Sequence, residues 1–204
     1  MKTIKILRIL FLFNILYLMV LGQWENAVVV SSVIVLSFAP DVLRWMTGIE
    51  LTSLMKAFFF LFVILSQWCG TYLRAYEFIS WWDIFLHGLS AVLVGLGAFI
   101  VLNLCDRDFL SFEYERYGLI STLIFLTISS SAVFWEIFEF LGDTLLGTNA
   151  QLGSLKDTMG DMLICVVIGA VISLWSYRSL KSKKNNFITK QLQAFILLNK
   201  DREK

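Results

Sequence analysis

Seven ionisable side chains stand at helical spacing within otherwise apolar stretches, and their types could carry chemistry. Asp83 and His87 are four residues apart, and so are Asp157 and Asp161. Residues four apart on an α-helix project from the same face, about 40° from one another. A further set shares one face through spacings of three and four residues: Glu136, Glu139 and Asp143. The pattern predicts three helices that each present a polar stripe.

Carboxylates and an imidazole are suitable ligands for a divalent cation: Mg²⁺, Mn²⁺ or Ca²⁺, or with histidine also Zn²⁺ or Fe²⁺. A bound metal could activate water against a lipid-linked phosphate or ester, with Glu136 or Glu139 as the general base. No phosphate-binding glycine loop or cysteine-pair zinc pattern is present, so no organic cofactor is indicated. The predicted metal ligands are Asp83, His87, Glu136, Glu139, Asp157 and Asp161.

The same residues leave two other classes of protein open. A chain of carboxylates and histidine could relay protons in an ion- or proton-coupled transporter. That interpretation is disfavoured because the other halves of these stretches are almost purely apolar. A non-catalytic interaction or immunity-type protein needs only the fold. The polar residues could then be a hydrogen-bonded structural clamp.

The composition indicates a polytopic membrane protein. Hydrophobic residues make up 58% of the 204 residues and charged residues only 16%, whereas globular domains carry about 25% charged residues. The net charge of +1 excludes a strongly basic nucleic-acid binder, and three cysteines are too few for a disulfide framework.

Apolar runs predict an all-α bundle of six transmembrane helices joined by short loops, because about 20 apolar residues cross a bilayer. The second run is short and must continue past Pro40, through a kink, or be re-entrant. Residues 1–177 form the predicted transmembrane domain, and residues 178–204 a basic amphipathic tail. The predicted spans are residues 6–22, 26–46, 57–73, 81–104, 118–141 and 161–177.

Lysine and arginine mark cytoplasmic segments of membrane proteins. Six spans place nearly all of them on one side, so both termini are predicted to be cytoplasmic and the bilayer to be the main partner. The acidic and histidine stripes then reach one level, toward the outer leaflet. Arg74, just outside the third span, and Asp143, just beyond the fifth, could reach the same region.

Small residues predict close packing of the helices that carry the stripes. Gly88, Ala91, Gly95 and Ala98 lie along one face of the fourth span, and Gly169 belongs to a similar stripe on the sixth. Small residues let transmembrane helix backbones approach closely.

Three motifs carry a family resemblance: WWDIFLHG at 81–88, FWEIFEF at 134–140 and KDTMGD at 156–161. Together they resemble the YjdF-like family of bacterial membrane proteins and, more distantly, the VanZ-like proteins, some of which are associated with glycopeptide-antibiotic resistance. The resemblance covers about residues 76–170 and implies a multi-span protein of the bacterial cytoplasmic membrane. It also implies that the six predicted ligands are the family's polar positions. Cys165 stands where such proteins commonly have Asn, and we expect it to be a small buried apolar residue.

The predicted orientation can be tested with a variant whose only cysteine is Cys105, at the cytoplasmic end of the fourth span. A membrane-impermeant thiol reagent added to intact cells should not label it, because the bilayer separates reagent and thiol. Labelling should appear once the membrane is permeabilised. Labelling from outside would reverse the orientation.

Overall fold

The computed structural model describes residues 2–105, 116–151, 153–182 and 187–200, and all regular structure within them is helical. The prediction of an all-α polytopic membrane protein is confirmed. Besides a π-helical segment at Ile64–Tyr72, the helices are α1 (Lys2–Val20), α2 (Trp24–Ser37), α3 (Ala39–Thr47), α4 (Ser53–Val63), α5 (Ala75–Phe78), α6 (Trp82–Cys105), α7 (Tyr117–Leu146), α8 (Leu155–Lys181) and α9 (Phe187–Leu198).

Six stretches of the described residues are long and apolar enough to cross a bilayer. Their order agrees with the predicted spans, although most of them begin or end several residues away from the predicted limits. The stretches are Thr3–Val20, Trp24–Thr47, Ser53–Tyr72, Trp82–Leu102, Tyr117–Leu146 and Leu155–Lys181.

The second span is built from two helices that meet at Phe38. Pro40 is tolerated at the start of α3, where its missing N–H would have no intrahelical partner. With Phe38 between them, α2 and α3 make a span of 24 residues, a length of about 36 Å. The two helices therefore supply the length that the 14 residues of α2 lack.

The third span changes from α-helix to π-helix at Ile64, which the sequence pattern did not predict. Gly70 lies inside this segment. The ring of Tyr76 lies 2.4 Å from the position that a Cβ on Gly70 would occupy. A larger residue than glycine would therefore push this ring away.

Helices α7 and α8 extend beyond Leu141 and Asp161, the predicted limits of the fifth and sixth spans. Helix α7 continues to Leu146 and ends at Gly147, whose φ of 69° is the left-handed conformation that favours glycine. Helix α8 begins at Leu155, because the Ser154 side chain accepts a hydrogen bond from the backbone N–H of Asp157. The prediction followed apolar runs, so it left out the helical turns with polar residues at the end of α7 and at the start of α8.

The predicted basic tail contains the end of α8 and the whole of α9. Leu192 and Phe195 of α9 are buried, and Phe187 stacks on Trp175 with the ring centroids 6.2 Å apart. Part of the apolar face of this amphipathic helix is therefore covered by protein, whereas Phe187 remains about half exposed. Four basic residues of the tail lie outside the described residues: Lys183, Lys184, Arg202 and Lys204.

The described residues form two compact units, one drawn from Met1–Trp82 with Leu197–Lys204 and the other from Asp83–Ile196. The first has a core contributed by α1, α2 and α4, in which Leu18, Val30 and Val33 are almost inaccessible to solvent. Trp68 of the π-helical segment packs edge-on against Phe11. This unit therefore has an apolar core of its own.

The second unit packs α6, α7 and α8 through the predicted small residues. A Cβ on Gly95 would lie 3.2 Å from Ile128 of α7 and 3.5 Å from Ile172 of α8. A Cβ on Gly169 of α8 would lie 3.1 Å from Ile128. The predicted close packing of these helices is confirmed.

We expect Gly95→Leu to destabilise the protein, because the new side chain must displace Ile128 and Ile172. Overpacking of this kind costs about 1–3 kcal/mol, and it should lower the melting temperature in detergent. Gly97→Leu is a matched control on the same helix, since a Cβ at Gly97 meets no other atom within 4 Å. Equal loss of stability in both variants would contradict the packing described here.

Candidate metal centre

Three side chains from two helices of the second unit converge on one point. One ligand atom from each of Asp83 and His87 of α6 and Asp161 of α8 lies within 4.8 Å of the others. The Nε2 atom of His87 is 3.7 Å from Oδ1 of Asp83 and 3.9 Å from Oδ2 of Asp161. These separations are too long for hydrogen bonds, since a side-chain contact of about 3.6 Å or more is not one. The three groups surround a common point without bonding directly to one another.

The helix packing next to His87 fixes this arrangement. A Cβ on Gly88 would lie 2.9 Å from Ile168 of α8, so a glycine is needed at this close approach. One turn after Asp161, the Cys165 thiol donates to the His87 backbone carbonyl over 3.3 Å. Cys165 is buried, as expected from the sequence. Because α6 and α8 touch here, His87 and Asp161 are held side by side.

The triad differs in exposure from one end to the other. His87 and Asp161 are buried, at 7% and 4% exposure, whereas the Asp83 side chain retains 36%. Asp83 lies in the first turn of α6, where the helix dipole favours an anion. One ligand position is therefore more accessible than the other two.

Glu136 of α7 is a buried carboxylate with one committed oxygen. The Gln151 side-chain amide donates to Oε2 over 3.3 Å and is equally far from the Glu136 carbonyl oxygen. Glu136 is only 5% exposed, and its Oε1 has no hydrogen-bond partner among the described residues. A buried polar atom without a partner costs about 1–3 kcal/mol and calls for an explanation.

Glu139 and Asp157 lie near the triad without joining it. The Glu139 carboxylate accepts a hydrogen bond from Nε1 of Trp135 over 2.7 Å. Asp157 lies in the first turn of α8, again where the helix dipole favours an anion. Asp157 interacts electrostatically with His87, and Glu139 with Asp83. Both carboxylates also interact with Asp161.

Asp143, which the sequence grouped with the site, bonds instead to the loop between α7 and α8. Its carboxylate accepts from the Thr148 hydroxyl at 2.6 Å and from the backbone N–H groups of Ala150 and Gln151 at 2.7 and 3.0 Å. Asp143 therefore positions Gln151, which in turn holds Glu136. Sequence reasoning missed Gln151, because a neutral amide in a loop has neither a charge nor a periodic position.

Arg74 has a carboxylate partner of its own in the first unit. Its Nε donates to Oε1 of Glu77 over 2.8 Å, and a second contact joins Nη2 to Oε2. Hydrogen bonding to this guanidinium lowers the pKa of the Glu77 carboxyl. Arg74, which was expected to reach the acidic region, is thus paired with Glu77.

A cavity of about 630 Å³ adjoins Glu136 within the second unit. The apolar walls come from Val133, Ile137 and Phe140 of α7 and from Met162 of α8. Glu136 and Gln151 also line the cavity. The volume lies within the range of about 300–1,000 Å³ for small-molecule sites. An apolar wall beside a carboxylate suits an amphiphilic ligand.

These features define a polytopic α-helical membrane protein with an intramembrane cluster of carboxylates around one histidine. The chain belongs to the family described as Predicted membrane protein (DUF2238), whose model matches residues 3–183. It is also similar to an uncharacterized protein of Thermotoga maritima, with 32% identity over 127 residues, which span 62% of this chain and 63% of that relative. No solved structure matches the chain.

The bonds of Asp143 predict a structural role for this residue. We expect Asp143→Ala to lower the melting temperature by the same few degrees with and without divalent cations, because it frees the loop but removes no ligand. Thr144→Ala is the matched control, since this exposed neighbour also lines the cavity. A loss of stability seen only in the presence of divalent cations would instead make Asp143 a metal ligand.

Proposed function

We propose that this protein binds a divalent cation through Asp83, His87 and Asp161. The two separations from His87 Nε2 carry the proposal, together with the fact that all three ligand atoms lie within 4.8 Å of one another. Ligands about 2.1 Å from a common ion lie about 3.0–4.2 Å from one another in tetrahedral or octahedral geometry. The His87 separations of 3.7 and 3.9 Å fall within this range. A cation at the centre would satisfy three groups that do not hydrogen-bond to each other.

Electrostatics supports a cation at this point. Asp83, Glu136, Glu139 and Asp157 all interact electrostatically with Asp161, and the described residues around them provide one imidazole. A charge at the centre of a membrane helix costs about 2.5–3.5 kcal/mol on insertion scales. Mutual repulsion adds to this cost, and a divalent ion relieves both terms at once.

We further propose that Glu136 is the general base for a water molecule bound to this ion. Its burial and its uncommitted Oε1 support this role, since a base needs a free lone pair and a fixed position. Gln151 holds the second oxygen and so orients the first. A metal ion makes bound water acidic enough to lose a proton near neutral pH.

The adjoining cavity supports a lipid-linked phosphate as the substrate of a hydrolase or transferase. Its apolar walls suit a hydrocarbon chain, and the cation would neutralise the phosphate that the surrounding carboxylates repel. Water would give a proton to Glu136 and form a new P–O bond. The P–O bond to the leaving group would break, and the leaving oxygen would take that proton. In the transferase version an alcohol replaces water.

The location follows the sequence prediction. We propose that the protein lies in the bacterial cytoplasmic membrane with both termini in the cytoplasm, so that the cation site would face the outer leaflet. Glu139 and Asp157, near the triad, would then bind the ion through water or attract cations from outside the cell.

The cation can be tested by thermal melting of purified, metal-free protein in detergent. At a concentration of 100 times the dissociation constant, a ligand stabilises the folded state by about 2.7 kcal/mol. We therefore expect at least one of Mg²⁺, Mn²⁺, Ca²⁺ and Zn²⁺ to raise the melting temperature by several degrees, and a chelator to reverse the rise. Asp161→Asn should remove most of it.

Glu25→Gln is the matched control, because Glu25 is an exposed carboxylate in the first turn of α2. It should keep the full cation response. Expression of Asp161→Asn should stay near normal, since neutralising a repelling carboxylate does not harm the empty protein. If none of these cations changes the melting curve of the wild-type protein, the metal proposal is contradicted. A protonated cluster would then be the better explanation.

A further inference from the structure

A second polar cavity, independent of the metal centre, lies in the first unit where the N-terminal part of α1 meets α3 and α4. Its volume is about 140 Å³. Three of its lining side chains are basic, Lys5, Arg8 and Lys56, and one is acidic, Asp41. The volume is well below that of drug-sized sites, about 300–1,000 Å³. The cavity therefore suits a single compact anionic group.

Arg8 is held in a fixed orientation at this cavity. Its Nε and Nη2 donate to the hydroxyl and the carbonyl oxygen of Ser37, both over 2.8 Å, and its guanidinium stacks over the Phe38 ring at 3.7 Å. Nη2 also reaches Asp41 at 3.4 Å. Within the described part of the chain these bonds do not use Nη1. A guanidinium fixed in this way can offer Nη1 to an oxyanion without losing further side-chain entropy.

The charges of this cavity are only partly balanced within the unit. Lys56 pairs with Glu50, but Glu50 also lies 2.8 Å from Nε of Arg44. Asp41 is left to balance Arg8, and Lys5 is exposed at the rim. The local group thus keeps an excess of positive charge, even though Arg8 and Lys56 are mostly buried.

We propose that this cavity binds a phosphate group, carried either by the headgroup of an anionic phospholipid or by free inorganic phosphate. Ile4, Phe59 and Phe60 border the cations with apolar surface, which suits a phosphate attached to acyl chains. Basic pockets between transmembrane helices on the cytoplasmic side bind anionic headgroups in this way. The charge asymmetry of the sequence predicts that this end of α1 is cytoplasmic.

The test uses the full-length protein in nanodiscs and in lipid-free detergent. Lipid retention should be severalfold greater for phosphatidylglycerol than for phosphatidylcholine with the same acyl chains. Lys5→Gln should weaken this binding about fivefold, the effect of one basic side chain near an anionic surface. Lys190→Gln is the matched control, because it removes an exposed lysine that does not line the cavity.

The arms of the experiment separate the two sources of phosphate. A rise in melting temperature with inorganic phosphate in detergent, lost in Lys5→Gln and without any lipid preference, would make free phosphate the ligand. If neither phosphatidylglycerol nor inorganic phosphate binds to the wild type, the proposal is overturned. Binding that survives Lys5→Gln, or that Lys190→Gln weakens equally, would also overturn it, because the cavity would then not be responsible.

Discussion

The structure of the second unit depends on one electrostatic constraint: several carboxylates share a small, poorly solvated volume with one imidazole. Asp161 and Glu136 are both buried, and among the described residues neither forms an ion pair with a lysine or an arginine. Such groups are costly in a membrane helix, and they repel one another. An arrangement of this kind is stable only if something relieves the charge, and the divalent cation that we propose between Asp83, His87 and Asp161 would do so.

The surrounding helices are built to hold this volume at fixed dimensions. Gly88 lets α8 approach α6, and the contact between Cys165 and the His87 carbonyl fixes the register of the two helices. On α7, Asp143 organises the loop that brings Gln151 to Glu136. A metal site needs ligands placed by rigid elements and oriented by outer partners. In the proposed site, close helix packing would place the ligands, and the loop would orient Glu136 beside them.

The sequence predicted the six spans and the small-residue stripes because hydrophobic length and residue size act locally. It also placed Asp83, His87 and Asp161 among the candidate ligands, since the four-residue intervals from Asp83 to His87 and from Asp157 to Asp161 indicate shared helix faces. It could not separate them from Glu139 and Asp157, whose distances depend on how the helices rotate against each other. Gln151 and the π-helical segment left no periodic signal. Helix α7 ends where Gly147 adopts a left-handed backbone conformation. The sequence did not reveal this end, because the residues before it are partly polar and break the apolar run.

The most direct test of the cation site uses the fact that the chain contains a single histidine. Electron spin-echo envelope modulation on Mn²⁺-loaded protein without an affinity tag detects ¹⁴N nuclei of a coordinated imidazole. We expect such a modulation, which can come only from His87, and its loss in His87→Ala. Stoichiometric Mn²⁺ binding without any imidazole ¹⁴N signal would contradict this expectation, because the ion would then lie elsewhere in the protein.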